Sequence, residues 1–138
     1  MFGTDYVTGQ LFAKGFFDEA VDYLSGEEYP SFGFMMNNGA TTLWEEWKEP
    51  RSMSHPMFGS VIKYLFYDIL GIKHRNAGFD DIIIQPKTNS VTGSVSGHIT
   101  TDKGEISVSV DKEKNVLTVG IPDGVKAEII FDREIIYS

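Results

Sequence analysis

Val95-Ser96-Gly97-His98-Ile99-Thr100-Thr101-Asp102-Lys103-Gly104-Glu105-Ile106-Ser107-Val108-Ser109-Val110-Asp111 alternates with period two on both sides of a single turn. Val95, Gly97 and Ile99 oppose Ser96, His98 and Thr100, and Ile106, Val108 and Val110 oppose Ser107, Ser109 and Asp111. Neighbouring side chains of a strand point to opposite faces, so the pattern predicts two strands with one apolar face each, reversed through Asp102-Lys103-Gly104. Further strands are expected at Leu117–Ile121, at Val125–Phe131 after the turn Pro122-Asp123-Gly124, and at Glu134–Tyr137. Strands this short and evenly spaced imply a small antiparallel β-sandwich over residues 77–138. On this pattern His98 faces solvent.

Upstream the spacing changes from strand-like to helical. Of the 18 aromatic residues, only Phe79, Phe131 and Tyr137 lie beyond residue 76. Val7, Leu11 and Phe12 share a helical face that Gly15 terminates, and Phe17, Ala20, Val21 and Leu24 continue as a second helix up to Gly26. Glu27-Glu28-Tyr29-Pro30-Ser31 is the irregular exit from this hairpin. Phe58, Val61, Ile62, Leu65, Phe66 and Ile69 recur at i, i+3, i+4 and predict a third helix ending before Gly71. So few helices cannot enclose this many aromatics, because large exposed apolar patches are unusual in a monomer, and residues 1–76 read as an incomplete body.

The bulk properties exclude several functions. With 138 residues and 41% hydrophobic content the chain can bury one ordinary core or two small ones. A net charge of −8 leaves no basic surface to neutralise phosphates, so neither nucleic acid nor an anionic membrane is an expected partner. No apolar run approaches the roughly 20 residues that span a bilayer, and Met1-Phe2-Gly3-Thr4-Asp5 carries no export pattern. With no cysteine and three scattered histidines, neither a disulfide nor a metal site is expected, and no cofactor is implied. Localisation stays open between the cytoplasm and export through a lost upstream signal. Asp80-Asp81 and Glu27-Glu28 read as solvated acid pairs.

The chemistry is concentrated in Gly39-Ala40-Thr41-Thr42-Leu43-Trp44-Glu45-Glu46-Trp47 and in Ser52-Met53-Ser54-His55-Pro56-Met57-Phe58-Gly59-Ser60-Val61. A carboxylate between two tryptophans, with a histidine returning towards it, is what a sugar-hydrolysing site needs. Taken alone, Thr42-x-x-Glu45 also fits a capping box, in which the Glu reaches back to a backbone N–H at a helix start. His55 before Pro56 equally fits a helix start, and Trp44 and Trp47 fit either stacking on a sugar or packing in a helical core.

Both segments closely resemble the end of the catalytic domain of bacterial α-L-rhamnosidases, glycoside hydrolase family 78, where a G-A-T-T-hydrophobic-W-E-x-W run precedes a H-x-x-x-G-S-V run. The following residues resemble that family's C-terminal β-sandwich, so the likeness covers essentially the whole chain. The resemblance implies that residues 1–76 are the C-terminal part of an (α/α)6-barrel glycosidase domain. It implies an inverting hydrolase of α-L-rhamnosides, with Glu45 as general base and His55, Trp44 and Trp47 in substrate binding. Glu46 falls in the variable slot. It also implies that the general acid lies upstream, so that the partners are a rhamnose-containing glycan or glycoside and the remainder of the barrel, and that the isolated chain is inactive. Two other readings stand beside it: a non-catalytic carbohydrate-associated β-sandwich module with a helical docking segment, and a helical-barrel glycosidase of different sugar preference.

Overall fold

The computed structural model describes residues 3–48, 51–89, 91–131 and 134–137. The chain divides into two compact units, residues 1–64 and 65–138.

The first unit opens with α1, Thr4–Ala13, and α2, Phe17–Ser25. Gly15 has φ +84, and around it Gly15 N–H donates to Phe12 O (3.1 Å) and Phe16 N–H to Leu11 O (2.9 Å). This paired closure is the Schellman arrangement, which needs a residue in the left-handed region, and it makes the hairpin expected from sequence. Phe12 and Phe17 meet edge to face at 5.8 Å across the turn. The buried side of α1 is not the one its apolar residues mark. Val7 is 44% exposed, whereas Thr4 and Thr8 are buried. The Thr8 hydroxyl donates to Thr4 O at 2.8 Å, so this threonine enters the interior with its donor satisfied.

A third helix follows, α3, Phe32–Asn37, where an irregular segment was expected. Ser31 caps it, its hydroxyl accepting from Phe34 N–H at 2.9 Å. Residues 56–61 then wind as a 3₁₀ helix and Ile62–Tyr64 (α4) as a single α turn. In a 3₁₀ helix residues i and i+3 eclipse, which is why Phe58 and Val61 are buried together while Ile62 is 51% exposed. The core of the unit is Ala20, Val21, Met35, Trp44, Phe58 and Val61.

The second unit starts with a π-helical turn, Leu65–Ile69, closed by Leu70 N–H to Leu65 O (2.9 Å). The regular helix expected over the Phe58–Ile69 stripe is thus wound as 3₁₀, α and π segments in succession. Two sheets follow. One contains β1 (Ile72–His74), β2 (Asp81–Ile84) and β6 (Lys126–Ile129), and the other β3 (Val95–Thr101), β4 (Gly104–Asp111), β5 (Val116–Gly120) and β7 (Glu134–Tyr137), each sheet in the order given. Leu70, Ile72, Ile82 and Ile84 pack with Ile106, Val108, Val110, Leu117 and Val119 in one cluster between the sheets. The expected sandwich is therefore present. The expected β3–β4 hairpin forms, with Val95 opposite Val110 and Thr101 opposite Gly104, which pairs as the first residue of β4. Among the described residues β1–β2, β3–β4 and β4–β5 pair antiparallel, while β2–β6 and β5–β7 are parallel, because the chain crosses to the first sheet for β6 and returns to the second for β7. Ser107, Ser109 and His98 lie on the outer face, His98 with 63% side-chain exposure. The acid pair Asp80-Asp81 is engaged rather than merely solvated: Lys103 Nζ lies 3.4 Å from Asp80, and Arg75 bridges Asp81 and Glu128 at the rim of the first sheet.

Candidate functional site

The candidate residues sit in a pair of irregular segments rather than on a helix. No helix forms between Gly39 and Lys48, so the capping-box reading of Thr42-x-x-Glu45 does not apply. The Glu45 N–H that a capping box would have offered to the Thr42 hydroxyl goes to the 52–55 segment instead. Glu45 N–H donates to Ser52 O (3.0 Å) and His55 N–H donates to Leu43 O (2.7 Å). The Thr42 hydroxyl donates to Met53 O between them. This folding-back brings the Glu45 and His55 segments side by side, although ten residues separate them in sequence.

Packing fixes each end of the arrangement. Trp44 is 8% exposed and belongs to the core, so its neighbour Glu45 is aimed by a buried anchor. Glu45 is half-buried and Glu46 exposed. Trp47 is half-buried and meets Phe32 edge to face at 5.3 Å. His55 precedes the 3₁₀ helix and stacks on Phe58 at 5.1 Å with rings 24° apart; Phe58 itself is 5% exposed. The two tryptophans thus divide between the two readings left open: Trp44 packs, and Trp47 keeps a partly accessible ring.

Beside the paired segments is a concavity of ≈ 340 Å³ between α3 and the loop Ala40–Leu43, lined by Phe32, Met35 and Met36 on the helix side. Sequence reading places Phe32 in the wall beside the site but misses the helix α3 that carries it, although Ser31 ahead of an aromatic and methionine run is an N-cap signature. Tyr29 and Phe34 pack edge to face at 5.3 Å. Gly33 is required here, since a Cβ would lie 2.5 Å from Gly26 O.

Away from this region, Lys63 Nζ lies 2.9 Å from Asp5 Oδ1 and holds the Asp5 carboxyl below its ordinary range, chiefly by hydrogen bonding. Tyr64 donates to Asp5 O at 3.0 Å. In the second unit burial pushes Asp68 up, with Lys73 at 3.9 Å opposing the shift. Among the described residues no group of three or more His, Asp or Glu is placed to hold a metal ion, and no helix is long and apolar enough to cross a membrane.

Comparison with known proteins identifies the family of both parts of the chain. Residues 1–69 match the bacterial alpha-L-rhamnosidase 6 hairpin glycosidase domain, and residues 71–134 match the bacterial alpha-L-rhamnosidase C-terminal domain. An alpha-L-rhamnosidase of Alteromonas sp. (strain LOR) is 31% identical over 141 residues, covering 93% of this chain and 15% of that protein. The crystal structure of Streptomyces avermitilis alpha-L-rhamnosidase complexed with L-rhamnose superposes with a TM-score of 0.84 at 26% identity, over 92% of this chain and 14% of that one. Alpha-L-rhamnosidase from Dictyoglumus thermophilum superposes with a TM-score of 0.83 at 30% identity, over 95% of this chain and 16% of that one. The chain thus spans about 15% of the length of the curated relatives it matches. With both of its parts matched in sequence and both covered in structure, the chain belongs to the bacterial alpha-L-rhamnosidase family.

Proposed function

We propose that the chain forms the closing part of the active site of an inverting hydrolase of terminal α-L-rhamnosides, with Glu45 as the general base. Glu45 takes a proton from water as the water oxygen attacks the anomeric carbon. A carboxylic acid on the opposite face protonates the departing glycosidic oxygen, and the configuration at the anomeric carbon inverts. The two carboxyl groups of such a site stand roughly 6.5–9.5 Å apart, leaving room for the water. His55, steadied by its stack on Phe58, contacts the sugar near the base, and Trp47 offers it a ring face. Trp44 serves by packing behind Glu45.

The observation that carries this reading is the cross-bonding of the Glu45 and His55 segments, which puts a half-buried carboxylate and a half-buried imidazole on one loop pair beside an apolar concavity. The bound sugar in the Streptomyces relative supports the substrate class.

The general acid comes from preceding helical hairpins of the same domain. Tyr6 (77% exposed), Met36 (71%) and Met53 (64%) present apolar surface on the first unit that such hairpins would cover. Without the acid, assistance to the leaving group is lost, usually worth about 10²–10⁴ in rate, so the isolated chain turns over no measurable substrate. The test is complementation: the chain is mixed with the preceding portion of the domain and assayed on an aryl α-L-rhamnoside, with the anomer first formed identified by NMR. Restored cleavage giving the inverted sugar, abolished by Glu45→Gln, supports the assignment. Cleavage by the 138-residue chain alone, or retention of configuration, contradicts it.

A further inference from the structure

Three hydrogen bonds cross between residues 42–45 and 52–55, and they differ in kind. Two are main-chain bonds, Glu45 N–H to Ser52 O and His55 N–H to Leu43 O. The third uses a side chain, the Thr42 hydroxyl, which donates to Met53 O. Between the anchors at Trp44 and Phe58, packing within the 138-residue chain does little to hold this stretch. Thr41, Thr42, Met53 and Ser54 are exposed, Met53 at 64%, and the nearest buried anchors are Trp44 on one segment and Phe58 beyond the other. Few buried apolar contacts and solvent-exposed backbone bonds mark a region that opens easily, and the three crossing bonds are what tie its two segments together.

From this we infer that Thr42 is a positioning residue: its hydroxyl clasps the segment carrying Glu45 to the segment carrying His55 and so sets the separation of the two side chains. The inference rests on the reading of Glu45 and His55 as site residues, since a clasp between two inert loops would position nothing of consequence. Thr42 need not touch substrate. It acts through the carbonyl of Met53 and the two main-chain bonds that flank it.

Thr42→Val keeps the β-branched shape and removes the donor, whereas Thr42→Ser keeps the hydroxyl. Loss of one such bond is expected to speed exchange of the Glu45 and His55 amide hydrogens about fivefold in the full chain, followed by NMR, while the Ala20 and Val21 amides in α2 are unaltered. Thr42→Ser should restore the original rates, and Glu45→Gln, which leaves all three crossing bonds in place, should not change them. Unaltered exchange in Thr42→Val, or equal acceleration through α2, overturns the clasp. In the complemented enzyme, Thr42→Val should lower kcat more than it raises KM, with recovery in Thr42→Ser. Full kcat for Thr42→Val alongside a dead Glu45→Gln would overturn the positioning role and leave Glu45 as base. Full turnover by Glu45→Gln would instead remove the site reading, and the exchange rates would still decide whether the clasp exists.

Discussion

Gly71→Ala should cost far more stability than Gly124→Ala, though both glycines lie in the second unit with similar positive φ, +71 and +83. For any L-residue the left-handed region costs roughly 1–2 kcal/mol, a penalty common to both variants. Their surroundings differ. A Cβ on Gly124 would meet nothing within 4 Å, whereas one on Gly71 would lie 2.1 Å from the carbonyl carbon and oxygen of Gln85 and 2.5 Å from Pro86 N. Those are backbone atoms, about 1.3 Å nearer than an ordinary 3.4 Å contact, so the chain leaving β2 has to retreat. The same stretch is fastened by Gln85 N–H to Gly71 O (3.0 Å) and Lys87 N–H to Ile69 O (2.9 Å), each worth about 1 kcal/mol. The total for Gly71→Ala is about 3–4 kcal/mol, a large part of the roughly 5–15 kcal/mol that stabilises a domain. At about 4–8 °C per kcal/mol for a unit of this size, thermal unfolding followed by circular dichroism should drop by roughly 15–30 °C, against about 5–15 °C for Gly124→Ala. Equal losses in the two variants would refute the close approach of Gly71 to Gln85.

Leu117→Ala, at a side chain with no exposure between the sheets, should cost about 2–5 kcal/mol in denaturant unfolding, whereas His98→Ser on the outer face should stay within about 0.5 kcal/mol; comparable losses would mean that the inner and outer faces are misassigned. The pairing of Asp5 with Lys63 gives the first unit a pH signature. Because the folded-state pKa of Asp5 is depressed, its contribution is present above the ordinary carboxylate value of about 3.9 and is lost as pH falls through the lower folded value. Asp5→Asn should therefore lower the melting temperature at pH 6 and converge with the unsubstituted chain near pH 2; a gap as wide at pH 2 as at pH 6 would contradict the pairing. Gly33→Ala, which drives a Cβ against Gly26 O, should loosen α3 and reduce quenching of Trp47 by its surroundings more than Gly39→Ala, whose added methyl meets nothing within 4 Å.

Features resting on local chemistry were legible in the sequence. The β3–β4 hairpin follows from strict alternation, and the end of α1 follows from Gly15. Features resting on partners distant in the chain were not. Ile82-Ile83-Ile84 is β-branched but shows no alternation, so the sequence did not say which face of β2 is buried, yet Ile82 and Ile84 are fully buried between the sheets. The parallel pairings of β6 and β7 depend on which edge is free when the chain returns, and spacing does not encode that. Spacing at i, i+3, i+4 also fails to separate α winding from the 3₁₀ and π turns found over residues 56–69. At the candidate site the motif pointed to Glu45 and His55, but Thr42-x-x-Glu45 suggested a helix cap. Ser52 O takes the Glu45 N–H and Met53 O takes the Thr42 hydroxyl, the two groups a capping box would have paired, which only a structure could reveal.

The central claim is that Glu45 activates the attacking water of a rhamnosidase whose acid lies in preceding hairpins. Its most direct measurement is the rate of aryl α-L-rhamnoside hydrolysis by the complemented enzyme with Glu45 and with Glu45→Gln, the two proteins first matched for assembly and thermal stability. The account predicts cleavage with inversion in the former and a loss of at least about 10²-fold in the latter. Equal rates from the two would contradict it.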